Sequence, residues 1–121
     1  MSLGCSTLLG DWKEKDASIT VSYISDTTYL VSGTVGEIVL PEELVITRNA
    51  GDNIEVFSGI KYVISANNVL TVYTLCGYMI ADEEFESFMS FLVVNNVTHD
   101  PKPGDTLAES TSIPILFNRK I

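Results

Sequence analysis

The sequence predicts an all-β domain, an antiparallel meander closing into a small barrel or sandwich. Three observations carry that expectation. Short runs alternate larger apolar with other residues at a period of two, which puts one set of side chains on one face of a sheet. Gly, Asn, Asp, Ser and Pro interrupt these runs, and about seven β segments precede Cys76. The sharpest instance is Phe57 to Leu75, FSGIKYVISANNVLTVYTL, which reads as a β-hairpin. Ala66, Asn67 and Asn68 separate its two runs, and asparagine tolerates the left-handed backbone of a tight turn.

Length and composition bound the answer. A chain of 121 residues fits one domain, read here as 8–121 with a leader or tether over 1–7, and it is large enough to bury a core without metal or disulfides. Hydrophobic residues at 45% and charged residues at 19% give a globular rather than a disordered profile. The net charge of -9 argues against nucleic acid and anionic lipid surfaces as partners, since phosphate binding draws on Lys and Arg. No stretch approaches the roughly 18 apolar residues of a membrane-spanning helix.

The elements follow in order. Leu8-Leu9-Gly10-Asp11-Trp12-Lys13 holds the only tryptophan and reads as a first strand whose large ring closes one end of a core. Ile19 to Ile24 sets Ile19, Val21 and Tyr23 against Thr20, Ser22 and Ile24, an amphipathic strand. Ser25-Asp26-Thr27 turns the chain, and Thr28 to Val35 returns, with Gly33 weakening that strand or marking a bulge. A short segment over Glu37 to Leu40 ends at Pro41. Leu44 to Arg48, a polar turn over 49–53 and Ile54 to Phe57 make another hairpin.

In the central hairpin two registers stand. A two-residue loop sets Ile60, Tyr62 and Ile64 beside Leu75, Tyr73 and Thr71, whereas a three-residue loop sets them beside Thr74, Val72 and Leu70. Beyond Gly77 the pattern changes. Asp82 fits a helix cap, with Glu83, Glu84 and Glu86 near the positive end and Phe85, Phe88, Met89 and Leu92 on one face. Phe88 to Val94 is equally rich in the aromatic and β-branched residues of a strand, so a short helix near 82–92 and a strand both remain open. Asn95 to Ser112 reads as a long surface loop. Ile113 to Ile121 closes the chain as a final strand, placed by Pro114 at an edge or a strand start.

Two resemblances add expectations. Gly4-Cys5-Ser6, after Met1-Ser2-Leu3, looks like the start of a bacterial lipoprotein whose signal peptide has been trimmed, which implies a lipid on Cys5 and a cell-envelope location at the periplasm or outer surface. An ordinary terminal cysteine, or a disulfide from Cys5 to Cys76, stands beside that reading. Leu9-Gly10-Asp11-Trp12 resembles the glycine-x-tryptophan opening of lipocalins and small bacterial lipocalin-like domains. Gly59 to Tyr73 is similar to their asparagine-turn hairpin, and Leu116-Phe117-Asn118-Arg119 to their terminal strand. The resemblance implies a barrel with Trp12 and Arg119 packed together at its closed end in a cation-π contact.

Little chemistry is written in the sequence. His99 beside Asp100 is the single histidine, and a hydrolase would need Ser58 or Cys76 to meet it, yet no glycine-flanked serine elbow or cysteine signature is present. Neither Asp100 with Asp105 nor Asp82 with Glu83 and Glu84 has the alternating oxygen ligands of a calcium loop, and there is no phosphate-cradling glycine loop. The expectation is therefore a protein that is not an enzyme, with no catalytic residues, metal or cofactor. Tyr23, Tyr29, Phe57, Tyr62 and Tyr73, with Tyr78, are candidates to line a pocket for a small apolar ligand, against ordinary roles in core and sheet surface. Glu42 and Glu43, with the acidic run after residue 82, keep the surface solvated or offer a docking face to a basic partner. Two functions compete: a non-catalytic binding module of the bacterial cell envelope holding a small apolar or amphipathic ligand, and a protein-interaction module using the 95–112 loop or an exposed strand edge.

Overall fold

The computed structural model describes residues 8–50, 54–81, 85–98, 102–104 and 108–120. Their elements are all strands: β1 (Gly10–Glu14), β2 (Ala17–Ser25), β3 (Thr28–Val35), β4 (Ile38–Val39), β5 (Leu44–Ala50), β6 (Ile54–Ile64), β7 (Val69–Ala81), β8 (Phe85–Thr98) and β9 (Glu109–Lys120). They form one antiparallel sheet in the order β1-β2-β3-β5-β6-β7-β8-β9, with β4 paired to β3. The sheet curls until its outer strands approach. Arg119 on β9 donates to the carbonyl of Leu9, just before β1, and Phe117 meets Trp12 at 6.4 Å between ring centroids. Side chains close this seam. The result is a small, nearly closed barrel.

Short strands make one wall and long strands the other. In β2 the alternation places Ala17, Ile19 and Val21 inside and Ser18, Thr20 and Ser22 outside, as expected of an antiparallel strand with one solvated face. Gly33 lies opposite Ile19 with φ at +128°, and a Cβ there would sit 2.2 Å from the Ser18 carbonyl oxygen. Only glycine fits that close approach.

The central hairpin adopts the three-residue loop: Ile60, Tyr62 and Ile64 pair with Thr74, Val72 and Leu70. Asn68 supplies the left-handed residue at φ 59°, while Ser65 Oγ accepts from the amides of Asn67 and Val69. Ile60, Tyr62 and Ile64 do share one face, and it is the outer one.

Two sequence expectations are corrected here. Residues 85–98 form strand β8, so the helix alternative near 82–92 fails over its described part; the Asp82 cap lies outside the described residues. The reason is visible in the burial. Phe88, Ser90, Leu92 and Val94 are buried while Met89, Phe91 and Val93 face outward. A segment apolar on both faces satisfies the helical and the strand periodicity at once, and pairing with β7 on one side and β9 on the other decides between them. The second correction concerns the loop from Asn95 to Ser112. Its two ends are strand, with Asn95 paired to Ser110 and Asn96 to Glu109.

The core is built around Phe88. Its ring lies 4.6 Å from Phe57, 5.3 Å from Trp12 and 5.5 Å from Phe117 between centroids, separations at which aromatic pairs attract. Leu44, Ile46, Leu75, Met79, Leu92 and Ile115 complete the packing.

Candidate functional site

The two barrel ends differ in chemistry. At one end lie the start of β1, the β2–β3 turn and the end of β9. Here Trp12 Nε1 donates to the carbonyl of Leu8 at 2.8 Å, and the Arg119 guanidinium carbon sits 3.9 Å from the centre of the Trp12 ring. Arg119 donates through Nε and Nη2 to Glu86 Oε2 and through Nη1 to the Leu9 carbonyl. A planar fork that stacks on a ring and still reaches a carboxylate and a carbonyl is a task for arginine, which lysine cannot repeat.

Beside this cluster is a second charged pair. Arg48 donates to the Tyr29 hydroxyl at 2.8 Å, and Tyr29 in turn donates to the Asp26 carbonyl at 3.4 Å. Arg48 Nε stands 3.6 Å from Glu55 Oε1. Glu55 is wholly buried, and neither of its oxygens has a hydrogen-bond partner among the described residues; the same holds for Ser90 Oγ. Burial pushes the Glu55 carboxyl above its ordinary value, Arg48 opposes that rise, and the nearby negative Glu86 adds to it.

At the opposite end the described inner residues are less buried. Tyr73 and Ile113 are half-buried against the core, and past them the inner faces of the long strands run on through Thr71, Val69, Asn96 and Thr98. Thr71 Oγ1 donates to Asn96 Oδ1 at 2.7 Å. A hollow of about 140 Å³ is lined by Val69, Asn96, Thr98 and Glu109. Beyond Ser58, β6 pairs only with β7.

The residues singled out from the sequence are distributed as follows. Trp12 and Arg119 meet at the closed end. Tyr29 and Phe57 are buried in the core, Tyr73 is half-buried on the inner wall, and Tyr62 is 60% exposed on the outer wall. Tyr23 stands at the rim, 53% exposed, with its ring 6.5 Å from that of Tyr29 and its hydroxyl on Asp26. These five aromatics therefore do not converge on one pocket. Ser58 and Cys76 are cross-strand partners on the outer wall, and the Cys76 thiol is free. Cys5, His99, Asp100 and Asp105 lie outside the described residues. Among the described residues no three His, Cys, Asp or Glu side chains gather as a metal site would require.

Sequence reasoning missed Arg48, Glu55 and Glu86. One signal was available for Glu55, which shares the inward parity of Phe57 in Ile54-Glu55-Val56-Phe57. A helix start is one of the two readings the sequence leaves open for Glu86, and the residue lies in β8, paired with Arg119 across the ladder.

These features define a class: a small, nearly closed antiparallel β-barrel, compatible with a lipocalin-like fold, one end of which is sealed by a tryptophan, an arginine and a carboxylate. No family model matches the chain, and neither the curated proteins nor the solved structures give a match.

Proposed function

We propose that this protein is a non-catalytic binding module whose barrel takes the apolar part of a small amphipathic ligand at the less buried end, with the ligand's polar group on the inner wall of the long strands. The supporting observation is the inner wall beyond Tyr73 and Ile113. It combines half-buried apolar surface with the Thr71–Asn96 pair and the hollow at Val69, Asn96, Thr98 and Glu109. Small-molecule sites are mostly apolar with a few polar groups that orient the ligand. A hollow of about 140 Å³ is smaller than the roughly 300 Å³ at which drug-sized sites begin, so it serves as a subsite for one end of a ligand. The sealed end supplies rigidity, and Tyr29 and Phe57 belong to it rather than to the ligand. The cell-envelope location, with a lipid on Cys5, rests on Gly4-Cys5-Ser6 alone.

Native mass spectrometry of the protein taken from its own host, membranes included, tests both parts. The expected result is a noncovalent small molecule released on denaturation, weakened in a Tyr73→Ser variant, and a diacylglyceryl mass retained at Cys5. Bare polypeptide in both states, together with no shift of Tyr73 or Asn96 resonances on adding a medium-chain fatty acid, would sink the ligand reading.

A further inference from the structure

We infer that Lys61 receives the polar group of the ligand and that this group is an anion, a carboxylate on an apolar chain; the inference rests on the binding-module reading above. Inward positions of β6 are Glu55, Phe57, Gly59, Lys61 and Val63, so Lys61 shares the parity of the core residues and not that of Ile60 and Tyr62. Across the ladder it faces Tyr73, the half-buried ring at the margin of the core, and Thr71 lies one inward step further along β7. Among the described strand residues three cations have inward parity: Arg48, Lys61 and Arg119. The two arginines are engaged at the sealed end, Arg48 with Tyr29 and Glu55, Arg119 with Trp12 and Glu86. Lys61 is the inward cation of the other end.

The ion pair already on Lys61 shows which chemistry the position takes. Glu43 Oε2 stands 3.8 Å from Lys61 Nζ, within ion-pair range but too far for a hydrogen bond, so the ammonium donors remain to be used. The Glu43 side chain is 83% exposed and that of Lys61 33%, and a pair held so far in water is worth little. Leu40 and Leu44, both buried, anchor the chain on either side of Glu43. Glu43 is therefore a stand-in, a carboxylate of the chain itself that a ligand carboxylate displaces at small cost. The rest of the wall agrees on the sign. Thr71 donates to Asn96 Oδ1, so what that amide has left to offer is its Nδ2 donors. Glu109 opposes, but it lies on β9, three strands from β6, a separation of about 14 Å against a screening length of ~8 Å at physiological salt. The inner wall is thus positive along β6 and negative along β9. An anionic group settles on the β6 side, with its chain against Tyr73 and Ile113.

Titration of the full chain with three probes of equal chain length tests the inference: dodecanoate, dodecanol and dodecyltrimethylammonium, each below its micelle concentration. Dodecanoate is expected to bind at least about tenfold more tightly than dodecanol, with the cation weakest. Lys61→Met removes that preference and Lys61→Arg keeps it, which separates recognition of charge from any effect on folding. Glu43→Gln tightens dodecanoate by about two- to fivefold, the worth of an exposed ion pair. A carboxyl label on dodecanoate reports the same contact in the unsubstituted protein. The bound carboxyl titrates at lower pH than the free acid, because a neighbouring ammonium favours its charged form. Equal affinity for dodecanoate and dodecanol, or a preference that survives Lys61→Met, overturns the inference and leaves the binding-module reading standing. Tighter binding of the cation does the same. Binding of none of the three probes overturns the inference and that reading together.

Discussion

Glu55 holds a carboxyl group inside the barrel with no hydrogen bond from a described residue, and its energetics depend on pH. Burial raises its folded value above 4.5. Between these two values the folded chain keeps a proton that the unfolded chain has released, so the stability contributed by the neutral acid is complete below the unfolded value and is lost as pH rises through the folded one. Glu55→Gln keeps the shape without the charge. The melting temperature of the native protein is expected to fall relative to that variant as pH is raised from about 4.5 toward neutrality; melting curves at a series of pH values that stay parallel would show that Glu55 ionises alike in both states. Glu43 presents a different strain, a non-glycine residue at φ 60°. The left-handed backbone costs about 1–2 kcal/mol and glycine's extra freedom returns about half of that, so Glu43→Gly should add about 0.5–1 kcal/mol in urea unfolding. Its exposed ion pair with Lys61 at 3.8 Å offsets little of the gain. At this scale the sequence is uneven. Trp12 and Arg119 stand out in short motifs, but the parity of Glu55 is fixed only by which face of β6 turns inward, and that depends on strands far away in the chain.

The strands themselves are largely legible, and their limits are not. Turn residues mark the ends of β2 and β3 because those strands alternate cleanly, whereas β5 runs on through Asn49 and Ala50, which the sequence reads as turn. β6 runs unbroken from Ile54 to Ile64 although Gly59 interrupts the apolar pattern. A Cβ at that glycine would come within 2.1 Å of the Val45 carbonyl oxygen, where β5 crosses close to β6. Gly59→Val is therefore expected to cost about 1–3 kcal/mol, the range for overpacking a fixed contact, measured by urea denaturation. An unchanged midpoint would mean that β5 moves aside at no cost. The register of the β6–β7 hairpin was undecidable because both loop lengths suit Ala66-Asn67-Asn68. The structure resolves it through β7: with Phe57 inward against Phe88, the three-residue loop turns Leu75 and Met79 inward beside it, where the other register would have turned Cys76 and Thr74 in. β8 was ambiguous for the opposite reason, having apolar residues on both faces.

At the scale of the molecule, nearest-neighbour order is what the sequence carries best: apart from β4, each strand pairs with those flanking it in the chain. A meander of this kind needs no distant pairing until the last step, when β9 meets β1. The asymmetry between a hydroxyl-rich wall and an apolar one was not legible, because composition averages over both. It becomes visible only when the ladders assign each side chain to a face. The seam between β1 and β9 also bears on the size of what the interior admits. In a fully hydrogen-bonded barrel the number and stagger of strands fix the circumference. This circumference is set at the seam by Arg119, Trp12 and Phe117, so widening the barrel there costs the Arg119 bond to the Leu9 carbonyl and the contacts of Trp12 with Arg119, Phe117 and Phe88, while the Arg119–Glu86 fork and every strand ladder stay whole. The girth of the molecule is held by a clasp, and a clasp can be let out.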